Sequence, residues 1–576
     1  MYKSNREAFI SIGSRLNDAI AENASGGANG NSKIISGETN NIDNKNDNNG
    51  NNNENAGNIE SNEPQKKKAI MPQRNPEAIP ETLPEKLEIK WDVIKGDKII
   101  SDYSRDYNIS FPDSGEYSVL PGITCFRGNN YRNSASYGYA DIKEEKLEEI
   151  WSFSNGSIDV WTGVGWTGQP AIIMWDEQTK NIMNIFPSKK QKEGLKEVIY
   201  ATLDGKIYFF DLEDGKPTRE PINIGYPIKG TVTVDPRGYP LLYTGQGIPE
   251  KNGEPGPIGF RIFSLINHKM LYYIDGYDKH AFRRWGAFDS SGVIDTKTDT
   301  LIEAGENGII YTVKLNTKYD PDKGTISVNP DLEKYRYKSA ISKRLGVENS
   351  PVIFKNYVYF IDNSGLLQCV DLNTLKPVWA RNVTDDTDST IVLEVESETE
   401  VSLYTACEVD LQGSEGYSYI RKIDAFTGRL IWEKAVKCEY NPNNNGGALA
   451  SPVIGKNDID NFVIYNIAKT GKIKKQGMTV YSGKLFALDK NSGKEVWTVE
   501  LENDSWSSPV DVYTKDGKSY LIQCDSVGNV YLIEGKSGKI LDTINLGANI
   551  EASPAVYDNI LVIGTRGQKI CGIRIK

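Results

Sequence analysis

The stretch YSGKLFALDKNSGKEVWTVEL, residues 481–501, reads as two short strands around a tight turn. Leu485, Ala487 and Asp489 mark the first strand, and Val496-Trp497 opens the second. Between them stands Asn491-Ser492-Gly493. Its polar side chains can bond the local backbone, and Gly493 takes positive φ without a Cβ penalty. Variants of this unit return along the chain, and their recurrence decides the fold.

Each unit opens on an apolar strand that follows a small residue, often with Pro. A second apolar strand comes next. The third strand holds Gly-x-apolar-x-x-apolar-Asp, clearest at Gly205-Lys206-Ile207-Tyr208-Phe209-Phe210-Asp211 and repeated at 365–371, 483–489 and 528–534. Ile423-Asp424-Ala425 and Ile309-Ile310-Tyr311 are degenerate copies. A fourth strand carries Trp379, Trp432 or Trp497. The openings are Gln169-Pro170, Gly230-Thr231, Ser290-Ser291, Ser350-Pro351, Ser389-Thr390, Ser451-Pro452, Ser508-Pro509 and Ser553-Pro554. Four strands with their turns need about 40–45 residues, so the longer units carry loop insertions. The eighth unit ends at Ile575-Lys576 without a tryptophan strand, while Glu149-Ile150-Trp151 supplies one at the other end. The expected fold is therefore an all-β, eight-bladed propeller over residues 122–576, closed by pairing of its two ends so that no sheet edge stays open.

Upstream, residues 87–121 are expected to pack on the propeller as an extension, because Leu87, Ile89, Trp91 and Val93 alternate with polar residues at the period of a half-buried strand. Residues 25–86 read as a disordered linker. Its Asn- and Gly-rich part cannot bury enough apolar surface to offset chain ordering. Lys66-Lys67-Lys68 and Pro72, Pro76, Pro80 and Pro84 continue it in a stiffer form. Residues 1–24 read as an amphipathic helix through Phe9, Ile12, Leu16 and Ile20. They lack the apolar core of a signal peptide. No run reaches the ~18–20 apolar residues of a membrane span, so the sequence implies membrane contact only through an anchor it does not display.

The chain of 576 residues carries a formal net charge of −11, which argues against a nucleic-acid partner. The six cysteines show no C-x-x-C spacing and read mostly as buried thiols. His268 reads as loop surface. His280 reads as a structural hydrogen-bonding group. Asp320-Pro321-Asp322-Lys323-Gly324 is a fragment of a calcium loop. Asp385, Asp386 and Asp388 lack the Gly and closing Glu of one. Both stretches read as solvated loops, and no metal ligands are assigned.

The SPV, GxLxxLD and SGKEVW pieces resemble the repeat of the PQQ-binding-like β-propeller family, and FRGNNYRNS resembles the segment before its first blade. The resemblance covers residues 122–576. It implies that Trp151, Trp379, Trp432 and Trp497 are structural and pack between blades. The family includes quinoprotein alcohol dehydrogenases and a non-enzymatic outer-membrane-assembly lipoprotein. The enzymes use adjacent cysteines, a stacked tryptophan, calcium-binding carboxylates and an Asp base. This chain has no adjacent cysteines, so no cofactor is expected and PQQ is not supported.

One set of residues lies just before innermost strands and is expected at one rim of the channel: Trp161, Trp166, Arg283, Arg284, Trp285, Trp506 and Glu551. Aromatics, arginines and a carboxylate there suit a flat polar ligand, sugar or peptide. The plainer reading is that they fill blade contacts. No catalytic residues are assigned. The expected function is a non-catalytic binding or scaffolding propeller at a bacterial cell surface, or alternatively in the cytoplasm, with a protein or glycan partner. The alternative activity is a degenerate quinoprotein oxidoreductase or a carbohydrate-active enzyme.

Overall fold

The computed structural model describes residues 71–576 apart from 167, 441–444 and 476–477. The expected helix at 1–24, the linker as far as residue 70 and the lysines at 66–68 lie outside the described residues. Eight four-stranded antiparallel sheets make a β-propeller. Their innermost strands are Ala171–Met174, Thr233–Val234, Val293–Asp295, Val352–Phe354, Val392–Val395, Val453–Ile454, Val510–Tyr513 and Ala555–Tyr557. Each follows one of the small-residue openings. In the eighth blade Lys569–Ile575 pairs with Leu147–Ser154, in register from Lys569 opposite Ser154 to Ile575 opposite Leu147. One apolar cluster then runs from blade 7 through blade 8 to blade 1, through Ile522, Val562 and Tyr200.

The small openings have a hydrogen-bonding reason. The N–H of Ser291 donates to the Ser350 hydroxyl at 3.0 Å, that of Ser350 to Thr390 at 3.0 Å, and that of Thr390 to Ser451 at 3.0 Å. Ser451 N–H then donates to Ser508 at 3.0 Å, and Ser508 N–H to Ser553 at 3.2 Å. Gln169 joins the remaining interval. Its backbone N–H donates to Thr231 at 2.9 Å, and its side-chain amide donates to the Pro554 carbonyl at 3.0 Å. A buried N–H left without a partner would be costly, and these six are satisfied by the next blade.

The outer strands are joined by tryptophan. The indole N–H of Trp151 donates to Leu212 O at 2.8 Å, Trp379 to Ala425 O at 3.0 Å, Trp432 to Lys490 O at 2.8 Å and Trp497 to Gly535 O at 3.1 Å. Each ring lies against the turn glycine of the following blade: Gly215, Gly428, Gly493 or Gly538, all at positive φ. The Asp that ends the third strand sets that turn. Asp489 accepts from Ser492 N at 2.8 Å, and Gly493 N donates to Asp489 O at 2.8 Å.

Connections within an antiparallel blade alternate between its two ends. On the face formed by the first-to-second and third-to-fourth strand turns, residues 71–121 run as a strap. Glu77 N bonds Phe426 O at 2.9 Å, the Thr82 hydroxyl bonds Thr427 O at 2.6 Å, and Phe111 N bonds Lys355 O at 2.9 Å. Lys90–Lys95 adds to the outer strand Asp331–Lys338 of blade 3. The expected boundary at residue 86 therefore falls too late, because Pro72, Pro76 and Pro84 are buried on the propeller rather than in a linker. The strap then turns into the channel. Arg127 (1% exposed) donates to Pro509 O, and Arg132 (0% exposed) donates to Pro351 O, both at 3.1 Å. Arg132 also bonds Phe126 O and Ser291 O.

His268 is not free loop surface. It stacks on Phe209 with centroids 5.4 Å apart, and burial plus nearby Arg219 push its pKa down to about 4. Trp379→Ala should lower the free energy of unfolding by about 3–5 kcal/mol. Gly428→Ala should also destabilise, since its Cβ would lie 2.6 Å from the Trp379 ring at a φ of +70°. Chemical denaturation followed by circular dichroism checks both. Unchanged midpoints would mean that this contact does not join blades 4 and 5.

Candidate functional site

The opposite face carries the second-to-third strand turns and the blade-to-blade connections. Two groups of buried carboxylates meet there. Asp289, Glu306 and Glu348 come from the connection before blade 3, a turn of blade 3 and the connection before blade 4. Asp386, Asp388 and Glu408 come from the connection before blade 5 and a turn of blade 5. In each group one oxygen per residue lies within 4.8 Å of the others.

The two groups differ in what balances them. In the first, the Lys229 ammonium pairs with Asp289 and lies 5.6 Å from the Trp166 ring centroid. Arg283 approaches Glu306 at 3.7 Å, and the Asn363 amide donates to Glu348 at 2.6 Å. Burial pulls the lysine down, but Asp289, Glu348 and Glu306 hold its pKa above the ordinary value. Burial and the neighbouring carboxylates push Glu306 well up. Glu348 is also buried, yet Lys229 and Arg283 draw it down. This group thus holds a built-in cation, paired with Asp289 and favouring the charged form of Glu348.

The second group has no lysine in it. Burial, then neighbouring carboxylates, raises Asp386, Asp388 and Glu408 well above the carboxylate range; Asp388 acts on the other two, and Glu348 of the first group acts on Asp388. Arg344 reaches Asp386 only at 3.9 Å and is closely paired with Asp410. Glu408 accepts from Asn445 at 2.8 Å and from Asp388 N at 3.2 Å. One oxygen each of Asp386 and Asp388 is buried with no hydrogen-bond partner. Asp385 fixes the geometry. Its carboxylate takes backbone N–H bonds from Asp386, Asp410, Leu411 and Gln412 at 2.8–3.1 Å, tying the connection to the blade 5 turn. Asp385 and Asp386 are buried and Asp388 is half-buried, so this stretch is not the solvated loop expected from sequence. The 320–324 stretch is different: it forms the end of an exposed hairpin.

All seven rim residues named from sequence fall on this face. Trp166 is buried under Lys229, and Arg283 reaches the first group. Glu551 is held by Arg566 at 2.9 Å and Asn549 at 2.9 Å. Trp161, Trp285 and Trp506 stand half-exposed, and Arg284 is exposed. Lys229, Asp289, Glu306, Glu348 and Glu408 escaped sequence reasoning, and Asp386 and Asp388 were read there as part of a solvated loop. A signal was present: Asp289, Glu348 and Asp388 each stand one or two residues before a blade opening.

The quinone and cation that the fold resemblance brings to mind fit unequally. The six cysteines are free, buried and far apart in sequence, so the paired-cysteine part of a quinone seat is missing. The hard carboxylate oxygens, some of them orphaned, are donors of the kind a divalent cation takes.

Residues 482–576 match the sequence model of the family described as outer membrane protein assembly factor BamB, so the match to this PQQ-type repeat lies in the last blades. No curated protein matches the chain. Among solved structures, the quinohemoprotein alcohol dehydrogenase ADHIIG from Pseudomonas putida HK5 is 11% identical with a TM-score of 0.52, over 79% of this chain and 80% of that one. BamB from Moraxella catarrhalis is 14% identical with a TM-score of 0.44, over 74% of this chain and 99% of that one. At these identities the likeness concerns the fold.

A single carboxyl shows what burial costs this face. Glu303 accepts from the Ser290 hydroxyl, and burial lifts its pKa from 4.5 to about 8. An acid raised in the folded state contributes stability that is present below pH 4.5 and lost as pH climbs towards 8. Glu303→Gln should therefore lose less thermal stability than the parent between pH 5 and pH 8. Unfolding temperatures at pH 5, 6.5 and 8 check this.

Proposed function

We propose that this protein is a non-catalytic binding and scaffolding propeller. It works at a bacterial envelope or cell surface and engages a protein or glycan partner through the face bearing Trp161, Trp285 and Trp506. The observation that carries this reading is the filled channel. Arg127 and Arg132 occupy the axis and bond the carbonyls that begin the inner strands. The axis is thus spent on holding the ring, and recognition falls to the loops around it. Half-exposed tryptophans beside an exposed arginine are the residue types that anchor partner surfaces. The matching family is described as an assembly factor, which supports a protein partner over a small substrate.

The gathered carboxylates are the feature that favours an enzyme. They meet in threes within 4.8 Å, short of the ~6.5–9.5 Å of an inverting pair and near the ~5–5.5 Å of a retaining pair, but either chemistry uses two acids where three crowd together here. They suit a shared cation better than that chemistry. A photo-crosslinking residue placed at Trp161 or Trp506 in the native cell should trap a partner, whereas one at Val119 on the strapped face should not. Equal trapping from both faces would remove the basis for this reading. PQQ added in the presence of calcium should give no thermal shift beyond that of calcium alone, and a quinone-dependent shift would favour the enzyme.

A further inference from the structure

The two carboxylate groups are versions of one construction. Each takes a residue from a connection immediately before a blade opening and a glutamate from a second-to-third strand turn. In each, three ligand oxygens lie within 4.8 Å. The difference is Lys229. Its ammonium is paired with Asp289, and Glu348 and Glu306 both stabilise its charge. The first group therefore already contains its cation, carried on the chain and covered by the Trp166 ring.

The second group has the acids without an ammonium seated among them as Lys229 is seated at Asp289; Lys229 and Lys469 act on Asp388 and Glu408 only through space. Asp386 is 6% exposed, and one of its oxygens finds no partner. An orphaned buried carboxylate oxygen is costly, and this one lies among two further carboxylates. Arg344, the guanidinium that reaches Asp386, is already committed to Asp410. Asp385 nevertheless ties the backbone of this connection to the blade 5 turn through four N–H bonds, which keeps the acids close together. A segment fastened in a repulsive arrangement, with free lone pairs directed inward, has the form of a ligand set.

We infer that Asp386, Asp388 and Glu408 bind one divalent cation of the calcium class, and that Lys229 stands in for a second such ion at Asp289, Glu306 and Glu348. Oxygens at ~2.3–2.6 Å from one calcium ion can be up to ~5 Å apart. The spacing of these acids falls inside that span. The smaller magnesium ion, with ligands at ~2.0–2.1 Å, demands a tighter octahedron. The site needs no quinone, because every protein ligand named is a carboxylate of this chain.

The stoichiometry of calcium binding tests the inference. Full-length protein freed of metal by chelator is titrated with calcium chloride in a calorimeter, and its unfolding temperature is read with and without calcium. One ion per chain and a higher unfolding temperature are expected. Asp388→Asn and Glu408→Gln should each weaken binding at least tenfold and abolish the thermal shift. Both remove repulsion, so both should fold, and circular dichroism verifies that. Lys229→Met should bind two ions per chain. No binding by the parent at millimolar calcium would overturn the inference. So would parent-like binding by both carboxamide variants, or a single ion in a folded Lys229→Met protein. The partner-trapping experiment does not use calcium, so its failure and the failure of this inference are separate results.

Discussion

A backbone N–H donating to the hydroxyl of the next blade is the bond on which this propeller depends. From Ser291 to Ser553 the bond is handed on at each opening, and Gln169 spans the interval from blade 8 to blade 1. It demands a small side chain with an acceptor oxygen, because each inner strand must approach its neighbour closely. It also fixes where each inner strand begins, and so the level of every sheet. The tryptophans do the corresponding work at the periphery, where the circumference is larger and a large aromatic is needed to span the gap. Hub and periphery therefore use opposite side-chain sizes for the same geometrical reason.

That arrangement divides the molecule into two unlike faces. One is covered by residues 71–121 and sealed at its centre by two buried arginines. The other keeps its loops open and concentrates charge. The arginines stabilise the hub through carbonyls, and the buried Asp511 adds a counter-charge to Arg127. The carboxylates across the channel are balanced unequally. One group is neutralised from within by Lys229, while the other stays under repulsion that burial intensifies. The contrast gives the open face its chemical character, acidic at the centre and aromatic towards the loops.

The blade plan was legible because its signals are local. Ser-Pro before an apolar strand, Asp before a glycine turn and Trp after it each recur within one unit, and each reports a bond that the fold needs at that place. The strap from 71 to 86 was not legible. Pro72, Pro76 and Pro84 have no N–H to satisfy and pack well in an extended chain, so an ordered strap and a stiff linker share one composition. The carboxylate groups were hidden for another reason. Asp289, Glu306 and Glu348 are separated by whole strands, and no periodic pattern connects them. Only the ring brings three loops to one point. The rim residues show the limit of position alone. Trp166 and Glu551 lie where their sequence places them, yet one is buried under a lysine and the other is held by an arginine.

The strap also has a bearing on how the molecule is made. Thr82 bonds Thr427, 345 residues further along, and Glu77 bonds Phe426 beside it. A ribosome delivers 71–86 long before blade 5 exists. Its earliest partners, Lys355 and Ala380, arrive only with blade 4, so this stretch must wait through the synthesis of three blades before anything to dock on appears. Contacts of such span are slow to form and leave the nascent chain exposed meanwhile. A polar, proline-spaced segment is well suited to that delay, since it offers neither a sticky strand edge nor a premature helix while it waits.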